Sequence, residues 1–460
     1  MKRAFLCILA FFPLLIYAQD TIKKRPAPKF LPLNYEEDYH YLSNKELRTG
    51  LWAKLKYIPL WKNGYITIGG EIRPRVEYRE HLKYGKGNED QGFDWQQRSR
   101  LWADIHILPN LRVFGEVQSG TTYELDYNPS LTDYNPGELH QAFAEYTVNL
   151  GVASKVYFRA GRQEILFNKA RLFDVRQPPN NRHSFDAGRI GVKSGAWNFG
   201  VIGGEEVQDK AGYFNDPSNK NLKFGAAHVS RKLGGVLPNS TAELLYIYTD
   251  KKGAANAMYN GTRNTLSARI GGVEGGWNYD VELVGQTGKS NAGKQIHAWY
   301  VATESSYTFK AKWKPFVGTR IDIASGDKDS TDNKSNSYDY LWSKGMSWVP
   351  DLGYTNIAAV GPIFGCKPTA KLSIDFTVQE LWRTSKEDGI YAMSGIQIRS
   401  ASAGTSSVIG TRCVAKAEYQ LNPFLLFGAY VNETFKGEYL KQAGSSQNMV
   451  YAHLYSVFRF

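Results

Sequence analysis

Cysteine and methionine are scarce, at three and five of 460 residues. Cys7 lies in the apolar N-terminal stretch, so only Cys366 and Cys413 remain beyond it. Two thiols exclude a disulfide-built scaffold, and no Cys/His spacing suits a structural zinc. Histidine is also sparse, and no Gly-x-Ser-x-Gly run occurs. His183, Ser184 and Asp186 fall within four residues at a strand start, unlike the separately contributed members of a hydrolytic triad. Past the N-terminus no stretch of ~18 apolar residues exists, so no helix would hold the chain in the inner membrane. An enzyme, a cofactor protein and a helical membrane protein are therefore not expected. Asp327, Asp329 and Asp332 form an acidic run without the glycine and distal glutamate of an EF-hand. They read as a solvated loop, with outer-surface Ca²⁺ the weaker alternative and no metal site otherwise expected.

The chain begins with an address. Met1-Lys2-Arg3 is basic, Ala4 to Tyr17 is apolar around Pro13, and Ala18 offers a cleavage point. Residues 1–19 read as a secretory signal peptide, too short to span a bilayer. Removing Lys2 and Arg3 leaves 54 basic against 44 acidic residues, a formal charge of +10. Residues 20–63 are rich in proline and charge. They read as a periplasmic leader packed at or into the mouth of one large β unit formed by the rest of the chain.

From Tyr65 the pattern has a period of two, which places alternate side chains on opposite faces of strands. Ile66, Ile68, Ile72 and Val76 oppose Thr67, Glu71, Arg73, Arg75, Glu77 and Arg79. Leu101, Ala103 and Ile105 oppose Arg98, Arg100 and Asp104; Val113 and Val117 oppose Arg112 and Glu116. The last strand, Val450 to Phe460, keeps the alternation and ends on an aromatic, as closing strands of outer-membrane barrels commonly do. Tight connections such as Leu108-Pro109-Asn110-Leu111 and Leu421-Asn422-Pro423 alternate with long polar ones near 80–94, 121–137, 165–184, 207–220, 324–353, 384–408 and 434–447. This predicts an all-β, up-and-down antiparallel transmembrane barrel over 64–460. It has about 18 strands (16 or 20 being the alternatives), short periplasmic turns and long extracellular loops. It belongs in a Gram-negative type outer membrane, against lipid, delivered by the barrel-assembly machinery.

If the apolar face meets lipid, the polar face lines the lumen. Candidate conducting residues there are Arg73, Arg75, Arg79, Arg98, Arg100, Arg112, Arg159, Arg189, Arg269, Arg320, Arg383 and Arg412. Lys312, Lys314 and Lys371 are assigned to the same face. Glu71, Glu77, Asp104, Glu116 and Asp322 are supporting carboxylates. An excess of guanidinium favours anionic permeants, and its bidentate geometry suits carboxylates. Arg73, Arg75, Arg100, Arg112, Arg159 and Arg189 are expected to line one wall. Nucleic acid does not fit, because the charge is spread over many strands rather than gathered in one module.

Several motifs sharpen this. Gly161-Arg162-Gln163-Glu164-Ile165, Arg171-Leu172-Phe173, His183-Ser184-Phe185-Asp186-Ala187-Gly188-Arg189, Gly69-Gly70-Glu71-Ile72-Arg73-Pro74-Arg75 and Ile323-Ala324-Ser325-Gly326-Asp327 resemble the alginate export family of outer-membrane barrels. The resemblance implies an 18-stranded barrel with an electropositive constriction that passes an acidic polysaccharide outward, with periplasmic export partners. The expected function is a channel for a uronate-type polysaccharide, a sugar acid or another anionic solute. The alternatives are a general anion-selective porin for uptake, a barrel-anchored adhesin or an outer-membrane enzyme.

Overall fold

A computed structural model describes residues 26–460 except 87–90, 124–129, 168, 236, 238, 255, 347, 349, 350 and 445. The signal-peptide reading lies outside the described residues. Eighteen strands form one closed antiparallel sheet. They are β1 Gly64–Glu80, β2 Gly92–Leu108, β3 Leu111–Tyr123, β4 Asn135–Asn149, β5 Ser154–Gln163 and β6 Phe185–Ser194. Next come β7 Trp197–Val207, β8 Ser218–Leu233, β9 Ser240–Lys251, β10 Gly261–Glu274, β11 Trp277–Ser290 and β12 Gln295–Thr308. The last six are β13 Phe316–Ala324, β14 Ile357–Cys366, β15 Leu372–Trp382, β16 Val408–Asn422, β17 Leu425–Lys436 and β18 Met449–Arg459. Each pairs with its sequence neighbour, and β18 returns to β1 through Ile72↔Phe458 to Glu80↔Val450. Among the described residues no helix is long and apolar enough to cross a membrane.

Burial is inverted relative to a soluble protein. Leu101 is 51 % exposed, Leu266 56 % and Leu454 65 %, whereas Arg98 and Arg412 are wholly buried. Apolar side chains outside and charged ones inside are what lipid and an enclosed lumen require of alternating strands. Closure depends on a close approach. Phe460 and Gly70 exchange backbone hydrogen bonds of 3.0 and 3.1 Å. A Cβ on Gly70 would stand 2.5 Å from the Phe460 ring, so only glycine leaves room for it.

The lumen is not uniformly polar. Phe185, Ile202, Phe224, Ile247, Val284, Ala302 and Ala359 point inward and are buried. They meet the 164–184 and 325–356 connections, which fold into the barrel; Phe173 stacks on Trp342 at 4.6 Å. Polar inner surface is concentrated on β1 to β5. Three lysines also move: Lys312 and Lys314 lie in the 308–316 turn, and Lys371 precedes β15. Their assignment to the lumen carries a period of two through turns that do not keep it.

Candidate functional site

Three guanidinium groups on β1 and β2 converge on one short piece of chain. Arg73 donates to the carbonyls of Gln177 (2.7 Å), Pro178 (3.3 Å) and Pro179 (2.8 Å). Arg75 donates to the Pro178 carbonyl at 2.5 Å. Arg98 reaches the carbonyls of Gln177 and Pro179 at 3.2 and 3.3 Å. Strand pairing sets Arg73 opposite Arg98, and Arg75 lies two residues along the same face. Prolines have no N–H, so Pro178-Pro179 presents acceptors alone to these donors. Asn180 pins the segment to the wall: its Nδ2 donates to the carbonyls of Gln97, Thr121 and Asp133 at 3.0 to 3.2 Å.

The leader enters from the other side and meets the same network. Asn34 Nδ2 donates to Glu116 (2.5 Å), Tyr35 OH to the Glu164 carbonyl (2.9 Å), and Arg182 to the Pro32 carbonyl (2.9 Å). Arg159 lies 4.2 Å over the Tyr35 ring, and Phe143 meets that ring edge-on at 5.3 Å. The leader's helix α1, Gly50–Lys56, sends Lys56 Nζ to the Phe460 carbonyl at 3.0 Å, between the rings of Tyr39 and Trp102. Burial lowers the Lys56 pKa to about 8, and nearby Glu37 only partly offsets it.

Most of the other arginines predicted from sequence are held by carboxylates. Arg79 contacts Asp94 and, at 2.5 Å, Glu77; Arg100 pairs with Glu116 at 2.6 Å. Arg112 binds both Asp104 and Glu145 at 3.0 Å, and Arg159 binds Glu145 at 2.5 Å. Glu71 takes Arg98 (2.7 Å) and Arg459 (2.9 Å), while Glu77 also takes Arg75 at 3.0 Å. Arg269 contacts Asp280, Arg320 pairs with Asp322 at 2.9 Å, and Arg412 with Asp351 at 2.6 Å. Arg383 instead donates to five loop carbonyls, the shortest being that of Ser406 at 2.6 Å. Arg189 lies over the rings of Tyr157 (5.8 Å) and Phe167 (5.4 Å). Of the wall expected from sequence, Arg100, Arg112 and Arg159 share the carboxylate network, Arg73 and Arg75 share the loop carbonyls, and Arg189 stands apart against aromatic rings.

Beyond the Pro178-Pro179 rung lies a cavity of about 760 Å³. Its walls carry Arg176, Lys251 and Lys344 beside Tyr259, Tyr340, Trp342 and Trp348. Burial and then the nearby Arg320 lower the Lys344 pKa to about 8. Sequence reasoning did not identify the inward fold of 164–184; the acceptor-only Gln177-Pro178-Pro179 run, in a chain rich in arginine, was the available signal.

Glu116, His140 and Glu164 bring potential ligand atoms within 4.8 Å of one another. Arg100 and Arg182 already occupy these carboxylates, with Arg182 Nε 2.5 Å from Glu164, so the cluster carries its own cations. Asp327, Asp329 and Asp332 each accept backbone N–H groups of their own loop, from Asn336, Thr331 and Lys334.

A closed barrel with an apolar outer belt, charged interior and inward-folded connections is the architecture of an outer-membrane β-barrel. The alginate export family model matches residues 64–450, and the chain belongs to that family. No curated protein matches it in sequence. Solved structures share its fold at low identity. The Pseudomonas aeruginosa outer membrane protein OpdK with vanillate is 11 % identical, with a TM-score of 0.58, covering 86 % of this chain and 98 % of that one. P. aeruginosa OccK2 (OpdF) in complex with glucuronate has 11 % identity, a TM-score of 0.53 and the same coverage. A BenF-like porin from Pseudomonas fluorescens Pf-5 has 11 % identity and a TM-score of 0.57, again covering 86 % and 98 %.

Proposed function

We propose that the chain passes anionic solutes of the uronate type through this lumen, with Arg73, Arg75 and Arg98 as the central contact. One observation carries the reading. Arg73 is 3 % exposed and is held by backbone carbonyls rather than by a carboxylate. Its positive charge is therefore solvated by neutral oxygens that an anion's oxygens can replace with gain, since charge-assisted pairs are the stronger ones. Family membership favours an acidic polysaccharide, and the glucuronate and vanillate complexes of fold neighbours agree with a carboxylate permeant. In planar bilayers the channel is expected to be anion-selective at low salt, where screening is weak. Arg73→Gln removes a cation without orphaning an acid and should lower both selectivity and block by oligouronate. A cation-selective parent, or an Arg73→Gln channel blocked as the parent is, would overturn the reading.

Uptake of small anions is the second reading. It is favoured by the leader and the 164–184 connection meeting inside the barrel, which narrows the route. Monomeric uronate flux equal to that of oligomers would favour it.

A further inference from the structure

Exposed Lys155, Lys193 and Lys232 stand at periplasmic strand ends, but within the turns themselves lysine is confined to two. Of the eight short connections on that side, only 308–316 and 366–372 contain lysine: Lys310, Lys312, Lys314, Lys367 and Lys371. All five are exposed, and no carboxylate lies in either turn. The other six turns hold no Lys or Arg at all. The two lysine-bearing turns form one unit, because Lys367 N–H donates to the Trp313 carbonyl at 2.6 Å. Lys371 Nζ reaches onward to the Leu421 carbonyl at 2.7 Å.

The same sector carries outward aromatics. Trp277 meets Tyr307 at 5.1 Å, Tyr307 meets Phe309 at 5.1 Å, and Trp313, in the same turn as Phe309, is 55 % exposed. Trp277, at 57 % exposure, stands on the face that meets lipid, so this ladder marks the membrane–water boundary. Trp313 and Lys314 hold left-handed backbones, with φ of 70° and 44°, a conformation unfavourable for residues with a Cβ. The strained tip presents an indole and three ammonium groups together at the headgroup level.

We propose that these joined turns bind the phosphate groups of anionic phospholipid in the periplasmic leaflet. Exposed ammonium groups at a bilayer surface attract anionic headgroups, and Trp favours that depth. Lipid fits better than a soluble polyanion because the aromatic ladder faces outward on the barrel, continuous with the lipid belt. The cations proposed to meet a permeant are enclosed in the lumen instead.

The test is lipid selectivity of the whole protein in phosphatidylcholine vesicles, using spin-labelled phosphatidylglycerol and phosphatidylcholine. The wild type should favour the labelled phosphatidylglycerol several-fold, and 0.5 M salt should reduce that preference. The variant Lys310→Gln/Lys312→Gln/Lys314→Gln/Lys367→Gln should bring the ratio close to one. A ratio of one in the wild type, or an unchanged ratio in a folded variant, overturns the proposal. If the variant does not fold, the fluorescence difference between wild type and Trp313→Phe decides. Brominated phosphatidylglycerol should quench Trp313 more than brominated phosphatidylcholine, and equal quenching overturns the proposal. Retention of a soluble polyuronate by the wild type, lost in the variant while lipid selectivity stays unchanged, also overturns it.

Discussion

Lys56 and Phe460, 404 positions apart, meet at 3.0 Å, so the leader's only α-helix among the described residues is tied to the strand that closes the barrel. The ammonium gives up water to reach that carbonyl, which is why its pKa falls to about 8. Between about pH 8 and the ordinary lysine value, the docked leader binds fewer protons than the released one. Docking therefore strengthens as pH rises through that window, and weakens as pH falls toward 8. Limited proteolysis at Arg48 should slow accordingly from pH 8 to 10.5, and Lys56→Met should flatten the profile. A flat profile in the wild type would refute the coupling.

Gly70 should be intolerant of a side chain. Gly70→Val puts a branched Cβ where the Phe460 ring lies, an overpacking that typically costs about 1–3 kcal/mol. The folded, heat-modifiable band on electrophoresis should diminish, and adding Phe460→Ala should restore part of it. No recovery in the double variant would mean that the two do not share that space.

Arg412 and Asp351 are both fully enclosed, and their 2.6 Å pair fastens the 325–356 connection inside the barrel. Asp351→Ala leaves a buried guanidinium without its carboxylate, a change worth roughly 3–5 kcal/mol. Thermal stability should fall and single-channel conductance should rise as the connection loosens. Asp351→Leu with Arg412→Met should recover most of the stability.

Trp348 belongs to the same connection, stacked on Tyr430 at 5.6 Å and His453 at 5.3 Å. Trp348→Ala removes that anchor at no charge cost. Conductance should increase while ion selectivity remains as in the parent.

Chelators should have no effect on stability. Asp327, Asp329 and Asp332 accept backbone N–H groups of their own loop. Melting curves with and without EDTA should coincide, and a calcium-dependent rise would show a site those amides leave open.

The barrel was legible because lipid imposes a strict rule on it. Ile72 and Val76 must face outward, so Arg73, Arg75 and Glu77 between and beside them must face inward, and parity alone reveals this. Parity is less plain in Ile357–Cys366, where Gly361 and Pro362 interrupt the alternation. What the arginines touch was not legible. Contact between Arg73 and Pro178 depends on a connection about a hundred residues downstream folding into the barrel, and no local period encodes that. The apolar inner face around Phe224 and Ile247 was hidden for the same reason: packing partners arrive from loops.

The Gln177-Pro178-Pro179 rung has a kinetic consequence. On the function proposed above, its carbonyls would act as a tethered competitor for Arg73, and a short tether would maintain an effective concentration in the range of mM. A monovalent anion at lower concentration would rarely displace it. A chain of linked carboxylates, having one group bound, offers the next at a comparable local concentration and can win the exchange stepwise. Discrimination between polymer and monomer would then arise from valency rather than from pore width.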